Sequence, residues 1–285
     1  MAIYKGNKKV VAVYKGSTPI NKIYKGGTLV FQKGGGSQSV PVVIKFTDDS
    51  DPAKRQYKPL CEGTTKTATS QTIELPSEGE TYKFVNKDTL LEVRNYSNNC
   101  PSVTSLSWLF DGATNMKMLT FAQGMDTSKI ESMGGMFYNC RSLVSLDVSS
   151  FDTSKSTDFH SMFYECSSLV SLDLSNFNTS NGTDFSYMFS WSTSLGSLDL
   201  SSFDTSKGTN FGYMFQYCSS LVSLDLSSFN TSNATSYSNM FNGCNKLTHI
   251  KCKQAFKDWC ITNQVKIKLP TAMQEGGSGT WEIVG

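Results

Sequence analysis

The dipeptide Met-Phe returns at one fixed interval through the middle of the chain. It begins at Met136, Met162, Met188, Met214 and Met240, each 26 residues after the one before. A fixed period of this length is the signature of a repeat architecture, in which each unit buries its apolar side against its neighbours. A degenerate earlier copy carries Phe110, Met116, Leu119 and Phe121, displaced by one extra residue. We therefore expect a stack of similar units.

Two periodicities alternate within each unit. The first is L-x-x-L-x-L-x-x-F, whose central Leu-Asp-Leu alternation predicts a short strand; in one copy it comprises Leu169, Leu172, Leu174 and Phe177. The second has apolar residues at i, i+3, i+4 and i+7, the stripe of a short helix; in one copy these are Phe159, Met162, Phe163 and Cys166. Asp-Thr-Ser segments between them supply turn residues. The sequence predicts an α/β repeat with a short parallel strand and a short helix per 26-residue unit.

The combination of L-x-x-L-x-L with a preceding cysteine and a following M-F-x-x-C resembles the BspA-like leucine-rich repeats of bacterial surface proteins. The resemblance covers roughly Leu91 to Cys252 and implies a leucine-rich-repeat solenoid. It departs from that pattern at one position, where an apolar residue is expected and small residues stand instead, so that we expect looser packing there. The residues at this position are Ser156, Gly182, Gly208 and Ala234.

The first residues contain an unrelated repeat, Tyr-Lys-Gly, at ten-residue spacing. Apolar runs separated by glycine-containing turns predict short strands, and about thirty residues bury too little surface to be stable alone. The segment has several lysines and no Asp or Glu before Asp48. It resembles the attachment segments of tailed-phage virion proteins, which implies an all-β anchor or oligomerisation segment. The residues predicted to anchor it are Tyr4, Tyr14, Tyr24 and Phe31.

The same reasoning divides the chain into five segments. The N-terminal anchor is followed by a Gly/Ser-rich linker, a small β-rich cap or domain, the repeats, and a C-terminal cap that includes an amphipathic helix at Ala255–Ile261. The predicted boundaries are 1–33, 34–39, 40–88, 89–252 and 253–285.

An aspartate stands in the middle of each repeated strand, so that four of them are expected side by side. Neighbouring strands lie about 4.8 Å apart, and like charges at that spacing repel. One interpretation is an acidic face, with serines beside it, that binds a cation or a glycan; the other is that each carboxylate accepts hydrogen bonds from the following Ser-Ser turn. Lys251, at the equivalent place in the next unit, should offset the last charge. The aspartates are Asp147, Asp173, Asp199 and Asp225.

Aromatic residues stand just beyond the Met-Phe pair in several units, while other units have non-aromatic residues at the same positions. Positions that vary inside a constant repeat are not dictated by stacking, so they are candidates for stacking on sugar rings or anchoring a protein partner. Ordinary packing at the edge of the stack is the alternative. The candidates are Tyr138, Tyr164, Trp191 and Tyr217.

Nothing in the pattern predicts an enzyme, a metal or a cofactor. The only histidines are His160 and His249, and the eight cysteines include four at one repeat position, which predicts buried apolar residues rather than disulfides. Zinc at Cys244, His249, Cys252 and Cys260 is disfavoured, because the spacing lacks C-x-x-C pairs. No phosphate-binding loop is present, and the strand pattern of the basic N-terminus favours protein rather than nucleic-acid contacts.

No run approaches the roughly 20 apolar residues of a membrane span, and the N-terminus lacks the apolar core of a secretory signal. A phage appendage made in the host cytoplasm and displayed on the virion surface needs neither. The two resemblances together predict a head or tail fibre or decoration protein that adheres to a bacterial surface or host glycan. Its expected partners are other virion proteins, through residues 1–33, and further copies of itself. A bacterial cell-surface adhesin and a purely structural decoration remain as alternatives.

Overall fold

The computed structural model describes the chain in the ranges 3–5, 8–10, 14–15, 18–19, 22–25, 28–32, 42–46, 55–59, 66–67, 72–75, 82–84, 87–96, 102–121 and 125–284. Its internal contacts divide the chain into two units, Met1–Val40 and Pro41–Gly285. The second unit is mixed α/β, with parallel strands and few helices.

The first unit contains three antiparallel strand pairs, one for each ten-residue repeat. They are β1 (Ile3–Lys5) with β2 (Lys8–Val10), β3 (Tyr14–Lys15) with β4 (Thr18–Pro19), and β5 (Lys22–Lys25) with β6 (Thr28–Gln32). Tyr4, Tyr14 and Tyr24 occupy the first strand of each pair, and Phe31 lies in β6. Strands therefore form where the Tyr-Lys-Gly repeat predicts them, and the anchoring role of these residues stays a prediction.

The second unit begins with antiparallel strands. These are β7 (Val42–Phe46), β8 (Gln56–Pro59), β9 (Lys66–Thr67), β10 (Thr72–Leu75), β11 (Tyr82–Phe84), β12 (Leu90–Tyr96) and β13 (Met118–Phe121), with a 3-10 helix at Lys87–Thr89. One sheet has the order β10-β7-β12-β13 and another the order β11-β8-β9. Strand β12 pairs antiparallel with β7 but parallel with β13, so that Val93 lies opposite Leu119. The parallel arrangement of the repeats thus starts at β12.

A parallel sheet of order β14-β15-β16-β17 closes the other end of this unit. Its strands are β14 (Ser197–Asp199), β15 (Ser223–Leu226), β16 (His249–Lys253) and β17 (Thr280–Val284). Leu198 lies opposite Leu224, and Leu224 opposite Ile250. Between β16 and β17 are α1 (Gln254–Thr262), α2 (Gln264–Ile267) and a 3-10 helix at Thr271–Met273. Helix α1 confirms the amphipathic helix predicted at Ala255–Ile261, and it buries Phe256 and Cys260.

The short helix predicted in each 26-residue unit is wrong. Residues 125–253 contain no helix, and the stretch from Phe159 to Cys166 is a run of reverse turns. Each run contains two residues with left-handed backbone, four residues apart, with φ between 53° and 81°. The first position holds Trp108, Gly135, Ser161, Tyr187, Tyr213 and Asn239, and the second holds Gly112, Asn139, Glu165, Trp191, Tyr217 and Gly243.

Hydrogen bonding explains why turns replace the helix. The N–H of Phe137 donates to the carbonyl of Met162 in the next unit at 3.0 Å, whereas the N–H of Met136 donates to the carbonyl of Met133 at 3.1 Å. Alternate N–H groups therefore bind the next unit, and the others close four-residue β-turns by donating to the carbonyl three residues earlier. An α-helix would use nearly all of these donors internally and leave none to join the units. The turns still place residues i, i+3, i+4 and i+7 on the apolar side.

Equivalent side chains stack from unit to unit in the core. The rings of Phe137 and Phe163 lie 5.5 Å apart and nearly parallel, and Phe163 repeats this with Phe189 at 5.7 Å. The central leucines of the L-x-x-L-x-L segments are all buried, although only the last two lie in strands, so that the strand predicted in every unit is present in some units and not in others. These leucines are Leu146, Leu172, Leu198 and Leu224. The isolated parallel bridges also link equivalent positions, namely Ser105, Ser132, Asp158, Asp184, Asn210 and Ser236. The units are therefore stacked in register.

The position with small residues is tightly packed rather than loose. A Cβ built on Gly182 would lie 2.4 Å from the ring of Phe185, and one on Gly208 would lie 2.3 Å from the ring of Phe211. Ser156 is buried, and its hydroxyl donates to the carbonyl of Ile130 at 2.7 Å. The space that an apolar side chain would occupy is thus taken by a phenylalanine ring, and the expectation of looser packing is wrong.

Buried polar side chains also join consecutive units. The hydroxyl of Thr205 donates to the carbonyl of Asn230 at 3.0 Å and accepts from the N–H of Asn230 at 2.8 Å. Thr153 makes the same two bonds to Asn178. On another side, the thiol of Cys218 donates to the carbonyl of Phe189 at 3.0 Å. The six described cysteines are free and buried, and they include the four at the repeat position that the sequence predicts to be buried: Cys140, Cys166, Cys218 and Cys244.

Candidate binding surface

The four aspartates of the L-x-x-L-x-L segments cap their own turns. Each accepts a hydrogen bond from the N–H two residues later, at 2.9–3.0 Å. The bonds from Ser149 lower the pKa of Asp147, and those from Ser175 lower the pKa of Asp173. The carboxylates are therefore used locally, as the second interpretation of the sequence states. The residues are Asp147, Asp173, Asp199 and Asp225.

Lys251 neutralises the last of these charges. Its ammonium lies 2.8 Å from Asp225 Oδ2, and the two residues are direct partners across β15 and β16. Burial raises the pKa of Asp225, but the hydrogen bonds from Lys251 and Ser227 outweigh burial and the net shift is downward. The predicted compensation of Asp225 by Lys251 is present.

The turn runs carry aromatic side chains in two rows, which we call the aromatic ridge. The first row consists of Trp108, Tyr138, Tyr164, Tyr187 and Tyr213, and the second of Trp191 and Tyr217. The four candidates from the sequence all lie on this ridge. Trp108, Tyr187 and Tyr213 were missed, although Tyr187 and Tyr213 also stand at a position that varies between units, directly before the Met-Phe pair.

Left-handed turn positions place most of these side chains. Trp108, Tyr187 and Tyr213 occupy the first such position of their units, while Trp191 and Tyr217 occupy the second. A bulky residue with positive φ is uncommon, because the conformation costs roughly 1–2 kcal/mol. The conformation belongs to the turn run rather than to the aromatic residue, because Ser161, Glu165 and Asn139 adopt it at the equivalent positions of other units.

Neighbouring rings of the ridge are in contact. Tyr138 stacks on Tyr164 with ring centroids 4.5 Å apart and an interplanar angle of 5°, and Tyr187 stacks on Tyr213 at 4.5 Å and 3°. Stacking covers one face of each of these rings, and burial together with the neighbouring tyrosine raises the pKa of Tyr164 and of Tyr187. The two tryptophans differ, because Trp108 and Trp191 begin their rows and remain 39% and 40% exposed. Each of them therefore presents part of its indole ring to solvent, as Tyr217 does with its phenol ring at 37% exposure.

Small residues make room for the ridge. A Cβ on Gly135 would lie 2.3 Å from the ring of Trp108, and a Cβ on Gly243 would lie 2.4 Å from the ring of Tyr217. Each glycine occupies the same turn position as the aromatic residue that covers it, one unit further along the chain. Glycine at these two places is therefore required by both the positive φ and the covering ring.

A half-buried polar network lies beside the first tryptophan. Ser132 donates to Asp158 Oδ2 at 2.8 Å, Asp158 Oδ1 lies 2.7 Å from His160 Nδ1, and the imidazole packs at 5.3 Å against Trp108. The bond to Asp158 raises the pKa of His160, and burial opposes that shift. The carboxylate stands between the hydroxyl and the imidazole, so the histidine is not placed to take a proton from Ser132.

The weaker candidates from the sequence do not form a site in the described part of the chain. Cys244, Cys252 and Cys260 are buried and unlinked, while His249 Nε2 lies 3.1 Å from Glu282. Burial raises the pKa of the Cys244 thiol to about 12. Among the described residues, no three His, Cys, Asp or Glu side chains gather in an arrangement suited to a metal ion. The helices described are too short or too polar to cross a bilayer.

Comparison with protein families gives one match, and it covers the repeats. The family model for "Mycoplasma protein of unknown function, DUF285" matches residues 83–189 and, in a second copy, residues 147–259. Searches of curated proteins and of solved structures found no match. The two matched ranges together include more than half of the 285 residues. The chain therefore belongs to the DUF285 family of Mycoplasma-type proteins of unknown function.

Proposed function

We propose that this protein is an adhesion module, in which a leucine-rich-repeat solenoid holds the aromatic ridge toward a glycan on a bacterial or host surface. The observation that carries the proposal is the exposure of Trp108 and Trp191 at the heads of the two rows. Large aromatic side chains are normally buried in proportion to their apolar area, and exposed ones concentrate where a partner covers them. The in-register stacking of the units supports the solenoid.

The ridge suits a sugar chain more than a compact ligand. Trp191 packs against Tyr217 at a ring distance of 4.3 Å and an angle of 40°, so that the indole is held but only partly covered. An indole face is an apolar platform for the C–H face of a pyranose ring, and a Tyr hydroxyl, as in the first row, can both donate and accept a hydrogen bond. Several such positions along consecutive units favour a ligand with a repeating structure.

The N-terminal unit supports an attachment role on a phage virion. Its three strand pairs follow a ten-residue repeat, and the segment through Thr47 has no acidic residue. On this proposal residues 1–33 bind other virion proteins and the repeats project the ridge. A bacterial cell-surface adhesin is the second candidate, because the family description names Mycoplasma. Mass spectrometry distinguishes the two: the chain co-purifies with virions in the first case and with the surface fraction of uninfected cells in the second.

A glycan array probed with the full-length chain tests the adhesion proposal. The informative variant is Trp191→Asn, because the same turn position already holds Asn139 at φ 61° and the backbone therefore accepts asparagine. We expect this variant to lose binding by about tenfold or more, as for removal of an anchoring aromatic residue worth 2 kcal/mol or more. Val170→Ala, which changes an exposed apolar residue outside the ridge, is the matched control. Equal binding by Trp191→Asn, or no glycan bound by the wild type, rejects the proposal in favour of a structural decoration.

A further inference from the structure

The hydrogen bonds that join the turn runs end at Gly243. At each earlier second turn position the N–H donates to a carbonyl of the next unit: Asn139 to Tyr164, Glu165 to Ser190, Trp191 to Gln216 and Tyr217 to Asn242, at 2.7–2.8 Å. Gly243 is the last member of this series. Within the described part of the chain its N–H has no such acceptor, because the C-terminal cap replaces the next unit. A backbone donor is therefore free on the side where a carbonyl oxygen would otherwise lie.

A cavity of about 440 Å³ opens at this point. The cap forms its other walls, through the segment Lys268–Gln274 and the start of α2. This volume lies within the range of small-molecule sites, roughly 300–1,000 Å³. Gly243 lines the cavity and also lies directly beneath the ring of Tyr217, so the cavity lies beside the second row of the aromatic ridge.

Amide side chains also line the cavity. They belong to Asn242, Asn245, Gln264 and Gln274. An amide carries both hydrogen-bond donors and an acceptor, so these side chains suit the hydroxyl groups of a ligand. The side-chain oxygen Oε1 of Gln264 is itself buried below the cavity surface and makes no hydrogen bond to any described residue.

The charge of the lining favours an anion. Lys268 is the one cationic residue among those that line the cavity, and no Asp or Glu lines it. Lys268 adopts φ 56° and ψ 48°, the left-handed region in which glycine is the residue without strain. A lysine at such a position supplies a charge at some cost in backbone energy. Its ammonium and the Gly243 N–H are the two donors that a carboxylate would accept from.

We propose that this cavity binds a carboxylate-bearing sugar residue at the end of the glycan that the ridge holds. The carboxylate accepts from Lys268 and from the Gly243 N–H, ring hydroxyls bind the amide side chains of the lining, and the preceding sugar lies against Tyr217. The inference rests on the proposed function of the ridge, since it names the chemistry of the ligand at one end of that surface. The uncharged amides complete a site for hydroxyl groups.

The test uses the full-length chain and two probes, methyl glucuronide and methyl glucoside. Binding is followed by NMR through the backbone amide of Gly243, whose shift should saturate with the glucuronide. Lys268→Gly removes the charge and also relieves the left-handed strain, so loss of folding does not confuse the result. Because a hydrogen bond to a charged group contributes roughly 1.5–3 kcal/mol, we expect this variant to bind glucuronide about tenfold or more weakly. Its weaker binding of glucoside should be unchanged.

Lys246→Ala is the matched control, because Lys246 is exposed and does not line the cavity. It should bind both probes as the wild type does. Trp191→Asn separates this inference from the ridge: it should lose the extended glycan and keep the glucuronide in the cavity. If the chain binds glucuronide saturably but binds no glycan on the array, the cavity is a binding site for a carboxylate-bearing sugar and the proposal that the ridge binds a glycan is rejected. The absence of a saturable Gly243 shift, or equal glucuronide affinity in Lys268→Gly, overturns the cavity proposal whatever the ridge binds.

Discussion

Replacing Thr205 by valine should destabilise the protein, although valine has nearly the same shape and is more apolar. Thr205 is completely buried. Its hydroxyl donates to the carbonyl of Asn230 at 3.0 Å and accepts from the N–H of Asn230 at 2.8 Å. One side chain thus satisfies both main-chain groups of a residue in the next unit. Valine keeps the packing and removes both bonds.

The expected loss follows from these two bonds. Each is worth about 1–1.5 kcal/mol, so Thr205→Val should lower the free energy of unfolding by about 2–3 kcal/mol. Thr205→Ser keeps the hydroxyl and removes one methyl group, which costs about 1 kcal/mol in a packed site. The predicted order of stability is therefore wild type, then serine, then valine.

Urea denaturation of the full chain, followed by circular dichroism, measures this order. Transfer of apolar surface alone would give the opposite result, since valine would then equal or exceed the wild type in stability. If Thr205→Val is as stable as Thr205→Ser or more so, the hydroxyl does not join the two units energetically. Thr153→Val is an independent repetition, because Thr153 makes the same pair of bonds to Asn178.

Three further predictions concern other contacts between units. Gly135→Ala should destabilise the fold by about 1–2 kcal/mol and change Trp108 fluorescence, because φ is +62° and the new Cβ would meet the indole at 2.3 Å. Cys166→Ser should retain the fold, because Ser192 stands at the equivalent position of the next unit and its hydroxyl donates to the Phe163 carbonyl at 2.8 Å. Burial raises the pKa of the native Cys166 thiol to about 12, so this thiol should react with iodoacetamide only after unfolding. His160→Asn should lower the stability of the fold most below pH 6.5 and progressively less at higher pH. Asp158 raises the folded-state pKa of His160, so the stabilisation by the protonated imidazole is lost as pH rises through that pKa. Thermal melts at pH 5.5 and 8.5 measure this difference, and an equal loss of stability at both pH values would contradict it.

The stacking of units followed from the sequence because one constant period has few physical solutions. Apolar residues recurring every 26 positions can be buried together only if the units align, and the bridged series from Ser132 to Ser236 has that alignment. The partners of the aspartates could likewise be derived, since a carboxylate two residues before a serine N–H commonly closes a turn. Local spacing was sufficient for both.

The turn runs could not be derived from apolar spacing. A helix and a series of four-residue β-turns would both place Phe159, Met162, Phe163 and Cys166 on one apolar side. Which of the two forms depends on where alternate N–H groups find acceptors. Those acceptors lie in another unit, for example the Met188 carbonyl that accepts from Phe163 at 2.9 Å. The candidates derived from the sequence lacked Tyr187 and Tyr213 for the same reason, because these two side chains project outward only in a left-handed turn. The C-terminal cavity depends on where the repeats stop.

The joints between consecutive units have a consequence for how such chains change over generations. Thr153, Thr179 and Thr205 each donate to the equivalent main-chain carbonyl of the unit that follows, and the phenylalanine rings meet at nearly constant distance. Deletion or duplication of one complete 26-residue unit would leave equivalent residues of neighbouring units packed on one another. Insertion of half a unit would instead place buried leucine positions beside exposed serine positions. Related genes should therefore differ in length by whole segments, and each duplication would lengthen the surface available to a partner without redesigning a single joint.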